Sequence, residues 1–90
     1  MGFLPKKKGD KLKIFNEYFQ KGETIVFYES PYRIIKTLKE LKEIIGNREI
    51  IIGRELTKKF EQILRGKISE ILPKIREQGE FTIIINQADE

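Results

Sequence analysis

The sequence contains no cysteine, which excludes disulfides, thiolate nucleophiles and cysteine-ligated zinc. Histidine is absent too, removing the commonest metal ligand and the usual acid–base group near neutral pH. No metal is expected. No apolar run approaches the ~18 residues that a membrane span needs, and Met1-Gly2-Phe3-Leu4 is not followed by the apolar region of a secretory signal. The expected location is the cytoplasm, with no membrane partner. Glycine-rich phosphate loops are also missing, whether of the G-x-G-x-x-G or the Walker type, and with no histidine there can be no Ser–His pair.

What remains is a chain of 90 residues, enough for one domain with a core of modest size. Hydrophobic residues make up 39% and charged residues 36%, the balance of a folded domain rather than a disordered tail. The formal charge of +4 permits RNA or another polyanion as partner without requiring one. Lys6, Lys7 and Lys8 form a basic run. It reads either as a solvated loop or as a contact to a nucleic-acid backbone, where clustered ammonium groups release counterions.

Residues 24–33 organise the rest. Thr24-Ile25-Val26-Phe27-Tyr28 is β-prone and nearly unbroken in its apolar character, which predicts a strand buried on both faces, as in a parallel central strand. The polar turn at Glu29 leads into Ser30-Pro31, a serine N-cap followed by proline at the first helical position. Ile34, Leu38, Leu41 and Ile45, supported by Ile35 and Ile44, then predict a helix ended by Gly46-Asn47. Upstream, Asp10 is placed to cap a helix with Leu12, Phe15 and Phe19 on one face, Ile14 and Tyr18 widening it, and Gly22 ending it. Downstream, Ile50-Ile51-Ile52 predicts a strand joined to the first by a right-handed βαβ crossover. A further strand is expected over 60–64. A helix is expected over 68–75 with Ser69 as N-cap and Pro73 at its fourth position, closed by Gly79, and a last strand over 81–85. The fold class is α/β, with a mixed sheet of about four strands and three helices.

Two polar clusters directly follow strands: Tyr28-Glu29-Ser30-Pro31-Tyr32-Arg33 and Arg54-Glu55-Leu56-Thr57-Lys58. In open α/β sheets ligands collect beyond the carboxyl ends of the strands, so parallel neighbouring strands would bring both clusters to one edge. The same residues also have a purely structural reading: Ser30 and Pro31 cap a helix, Arg33 neutralises Glu29 or Glu55, and Thr57 caps a turn.

The residues Gly2-Phe3-Leu4-Pro5, Val26-Phe27-Tyr28-Glu29-Ser30-Pro31 with Arg33, Arg54-Glu55-Leu56-Thr57-Lys58 with Phe60-Glu61, Arg65-Gly66 and Gly79-Glu80-Phe81 recur in this order in one family. Across nearly all 90 residues the chain resembles the C-terminal domain of the tetrapyrrole (corrin/porphyrin) methylase superfamily, in the branch that acts on small-subunit ribosomal RNA. Tyr32 departs from the pattern, standing where such proteins often carry histidine. The resemblance implies a two-domain enzyme that uses S-adenosylmethionine to methylate a ribose 2′-hydroxyl of a cytidine in that RNA. It places the cofactor between the domains and the glycine-rich cofactor loop on an N-terminal domain. Residues 1–90 are therefore expected to be the second half of the enzyme, inactive alone, with a homodimer as the assembly.

By the same resemblance Tyr28, Glu29, Leu56 and Thr57 are expected to contact the cofactor, and Arg54, Glu55 and Lys58 the substrate. No catalytic residue is assigned; Glu29, Glu55 and Lys58 are equivalent candidates for a base. Arg33 is expected to pair with an acid and stiffen the turn. Two alternatives stand beside this: a non-catalytic basic RNA-binding module, and a methylase of tetrapyrroles. The surface that meets an N-terminal domain is expected to be apolar and prone to self-association.

Overall fold

The structure is a computed structural model that describes residues 5–56 and 59–86, with the side chains of residues 19 and 59–61 outside the described set. In chain order the elements are α1 (Lys8–Lys21), β1 (Ile25–Glu29), α2 (Ile34–Ile45), β2 (Glu49–Leu56), β3 (Lys59–Lys67), α3 (Ile68–Ile71), a 3-10 turn (Leu72–Lys74) and β4 (Glu80–Ile85). The strands form one sheet in the order β1-β4-β2-β3. The α/β class with four strands and three helices is as the sequence indicates. Within it every neighbouring pair is antiparallel rather than mixed.

Strand β4, last in the chain, is inserted between β1 and β2. Because β1 and β2 are each antiparallel to β4, they run in the same direction without touching. The expected βαβ crossover is thus split by a strand. It also leaves β1 at an edge, not in the centre, and its burial alternates: Ile25, Phe27 and Glu29 point inward while Tyr28 is exposed. An apolar run looks two-sided in sequence, but only one side of this strand is covered.

That covered face carries the core. Ile25 and Phe27 of β1, Phe81, Ile83 and Ile85 of β4, and Ile50 and Ile52 of β2 are buried with Phe15 of α1, Ile34, Leu38 and Leu41 of α2, and Ile68 and Ile71 of α3. Phe15 meets Phe27 edge to face, with ring centroids 6.0 Å apart and planes at 71°. Each such side chain contributes about 1.5–3 kcal/mol by leaving water.

Local signals hold at some helix ends and yield at others. Gly22 and Gly46 take φ of 68° and 85°, positive values that glycine reaches without strain. Asp10, however, lies in the first turn of α1 rather than at its cap. The inward stripe of α1 also differs from the expected one. Leu12 is 43% exposed and Lys11 only 3%, because the Lys11 ammonium reaches Glu40 of α2 and the carbonyl of Lys6.

Ser30 does not cap α2. Residues 30–33 form a β-turn closed by Arg33 N–H donating to the Ser30 carbonyl at 3.2 Å, with Pro31 at the position that favours its fixed φ. The helix begins only at Ile34, with Arg33 at the N-cap and no side-chain cap.

In the last helix Ser69 is not the cap either. The Lys67 N–H donates to Glu70 at 2.9 Å, while Ser69 exchanges two hydrogen bonds with Asn47, each 2.9 Å. Pro73 then limits α3 to one turn and the chain tightens into the 3-10 turn. Gly79 closes no helix; it stands immediately before β4 with φ 79°.

Candidate functional site

The carboxyl ends of β1 and β2 reach the same edge of the sheet, one strand apart. Glu29 pairs with Phe81, Phe81 with Arg54, and Arg54 with Gln62, giving one row across all four strands. Residues directly opposite share a face. Glu29, Phe81 and Arg54 therefore lie together on the helix-covered side, at 2%, 1% and 6% exposure. At about 4.8 Å per strand, β1 and β2 stand roughly 10 Å apart. Glu29 of the first cluster and Arg54 of the second do share this row, across β4 instead of directly.

Glu29 is a buried carboxylate with its hydrogen bonds filled. Oε1 accepts from the Ser30 N–H at 2.9 Å and from Arg33 Nε at 3.2 Å, and lies 3.1 Å from Arg33 Nη2 in an ion pair. Oε2 accepts from the Thr37 hydroxyl at 2.7 Å. A charge taken from water needs such partners, and these also tie the end of β1, the turn and the first coil of α2 into one unit. Arg33 is the ion-pair partner expected of it.

Arg54 is less completely answered. Its Nε donates to Gln62 Oε1 at 3.3 Å, but among the described residues its buried Nη1 has no hydrogen-bond partner, and nor does the Ser30 hydroxyl. Each unmade bond of this kind costs about 1–3 kcal/mol. The sheet edge thus holds two polar groups with unspent hydrogen-bonding capacity, one of them cationic.

The other residues singled out in sequence divide between the two faces. Tyr28 pairs with Thr82 on the uncovered side and is 44% exposed. Glu55 pairs with Glu80 on that same side, just past a register shift between Arg54 and Glu55. Leu56 is partly buried. Thr57 and Lys58 lie outside the described residues.

Sequence reasoning gave three contributors no part in the site. Gly79 comes so close to β2 that an added Cβ would sit 2.4 Å from the Glu55 carbonyl oxygen and 3.2 Å from Leu56 Cγ; only glycine lets the chain pass here. Thr37 is a polar residue within the apolar stripe of α2, which was the available clue to a buried acceptor. Gln62 became legible only once β2 and β3 were in register. On the uncovered face, Ile51, Gly53, Ile63, Thr82 and Ile84 line a shallow depression of about 150 Å³. Among the described residues no group of acidic side chains could hold a metal, and no helix is long and apolar enough to cross a membrane.

The profile of the family described as Tetrapyrrole (Corrin/Porphyrin) Methylases matches residues 2–72. The chain is similar to ribosomal RNA small subunit methyltransferase I of Bacillus subtilis (strain 168), with 44% identity over 87 residues, covering 93% of this chain and 30% of that protein. The protein of that name from Streptococcus pyogenes serotype M1 is 45% identical with the same coverage. The one from Thermotoga maritima is 38% identical over 88 residues, or 94% of this chain and 39% of that protein. The chain spans between 30% and 39% of the length of these relatives.

Proposed function

The chain belongs to the tetrapyrrole (corrin/porphyrin) methylase family, and on that premise we propose that it is the C-terminal domain of an S-adenosylmethionine-dependent methyltransferase of small-subunit ribosomal RNA. The reaction proposed is 2′-O-methylation of a cytidine. The observation that carries this reading is 44% identity across 93% of the chain to a ribosomal RNA small subunit methyltransferase I. The buried Arg54 Nη1 and Ser30 hydroxyl, without hydrogen-bond partners among the described residues at the carboxyl ends of β2 and β1, are consistent with it, since buried polar groups are normally satisfied.

The residues present suit one wall of a cofactor site. When bound, S-adenosylmethionine supplies a sulfonium-activated methyl group. Leu56 offers a partly buried apolar surface compatible with a nucleoside, and Tyr28 an exposed aromatic one on the opposite face of the sheet. Arg54 Nη1 matches an anionic group, whether carboxylate or phosphate. Glu29 already carries three hydrogen bonds and an ion pair and acts here by holding the turn. The domain's contribution is binding and orientation, which can supply much of the barrier lowering in a group transfer. Glu55 and Lys58 remain the candidates for taking up the hydroxyl proton. In this reading an N-terminal domain provides the glycine-rich loop, the enzyme is a cytoplasmic homodimer, and residues 1–90 are inactive alone.

The test is a chimera in which this chain replaces the corresponding segment of the Bacillus subtilis relative. It is incubated with labelled S-adenosylmethionine and small ribosomal subunits, beside the isolated chain. The chimera is expected to place a 2′-O-methyl group on a cytidine, and the isolated chain to transfer nothing. Methylation of a base, or none by a folded chimera, rejects the assignment.

A further inference from the structure

Helix α2 carries opposite charges on its two flanks. Glu40 and Glu43 are taken up by Lys11 and Lys8, from α1. Lys39 and Lys42, with Glu43 and Leu72, line an open depression of about 450 Å³ between α2 and the 3-10 turn. Both lysines are exposed. Neither ammonium has an ion-pair or hydrogen-bond partner among the described residues, and Glu43, the acid in this lining, is already paired with Lys8. Lys36 lies one turn earlier on α2, Lys74 closes the 3-10 turn and Arg76 follows it, all three exposed. Like charges three or four residues apart on a helix destabilise it by a few tenths of a kcal/mol each. Lys42 in the last turn suits the helix dipole and Lys39 stands four residues before Glu43, but Glu43 and Glu40 are taken up by α1, which leaves the lysines of this flank for an anionic partner.

We infer that the depression between α2 and the 3-10 turn binds phosphodiesters of RNA, as a contact separate from the sheet edge. At 1.5 Å per residue, Lys39 and Lys42 stand about 8 and 12 Å along α2 from its start beside the Ser30 turn. One RNA strand can therefore touch both places. That the RNA is ribosomal rests on the proposed methyltransferase function; the electrostatic argument does not. Lysines at such a site position a backbone without reading its sequence.

The experiment measures fluorescence anisotropy of a fluorescein-labelled single-stranded RNA of mixed sequence, titrated with the chain across a fourfold range of KCl. K39Q/K42Q is compared with K13Q/K21Q, which removes the same charge from exposed positions on α1, and circular dichroism checks that both variants are folded. Each phosphate contact to a single strand contributes about 0.7 to the slope of log Kd against log salt. K39Q/K42Q is expected to lower that slope by about 1.4, so that the change in Kd over the fourfold range shrinks about sevenfold. K13Q/K21Q is expected to lower it by less than half as much. Equal losses in the two variants, an unchanged slope in K39Q/K42Q, or no RNA binding by the wild-type chain at low salt each overturn the inference. Methylation by the chimera with an unchanged slope in K39Q/K42Q defeats this inference alone. The expected slope change with a folded but inactive chimera defeats the methyltransferase reading and leaves the phosphate contact standing.

Discussion

Thr37→Val removes a single hydroxyl from the interior and leaves the shape of the side chain nearly unchanged. Thr37 is 2% exposed and donates to Glu29 Oε2 at 2.7 Å; Glu29 is equally buried. Water cannot replace the lost donor without opening the turn. A hydrogen bond to a charged group is worth about 1.5–3 kcal/mol, and valine and threonine have similar helix propensities, so propensity does not mask the effect. The greater ease of burying valine offsets part of the loss, giving an expected destabilisation of about 2 kcal/mol. Against a total stability of about 5–13 kcal/mol for a chain of this size, the variant still folds.

With a urea slope of about 1–1.5 kcal/mol per molar, the midpoint followed by far-UV circular dichroism should fall by about 1.3–2 M. Thr37→Ser keeps the donor and loses only a methyl group, so it should cost about 1 kcal/mol. In a cycle with Glu29→Gln, Thr37→Val should show a coupling of about 1 kcal/mol or more. A midpoint within about 0.3 M of wild type would refute the idea that the Thr37 hydroxyl holds the buried carboxylate.

Two glycines at positive φ make a contrast. Gly22→Ala meets no atom within 4 Å and should lose only the left-handed penalty of about 1–2 kcal/mol; Gly79→Ala must also displace the Glu55 carbonyl. Its loss in urea melts should be at least twice as large, and equal losses would show that the approach of β2 is not tight. Glu80→Gln removes a carboxylate directly opposite Glu55, so stability should rise by about 0.2–1 kcal/mol; a lower melting temperature would contradict the repulsion. Ile63→Lys places a charge on the uncovered face at a position 67% exposed. The stability from urea melts should hold within about 0.5 kcal/mol, while any concentration-dependent association in sedimentation velocity should weaken. Undiminished association would place the contact elsewhere.

The local features of this chain were legible because their causes are local. The stripe Ile34, Leu38, Leu41 with Gly46 behind it predicts α2 and its end, since a 3.6-residue period and a glycine at positive φ act within one or two turns. The helix expected over 68–75 stops after Ile71, because Pro73 carries no N–H to continue it, and residues 72–74 tighten into a 3-10 turn. The Ser30-Pro31 signature was read as a cap and was not one. A buried Glu29 gathers the Ser30 N–H, Arg33 and Thr37, and the chain completes a turn before the helix can start. Lys11 sits inward for a similar reason, because Glu40 arrives beside it from another helix. No residue near Lys11 announces that partner.

By itself, then, the sequence determined which segments are strands and helices, the α/β class, and the two polar stretches at residues 28–33 and 54–58. Tertiary structure decided how those stretches meet. Insertion of β4 between β1 and β2 is a pairing across more than fifty residues for one neighbour and nearly thirty for the other, and such pairing leaves no trace in any local window. It turned an expected central strand into an edge and set Phe81 between Glu29 and Arg54. It also sent Tyr28 and Glu55 to the opposite face from that row. Side chains alternate along a strand by covalent geometry, but only the register, fixed by burial of the core, determines which side of the alternation becomes a site.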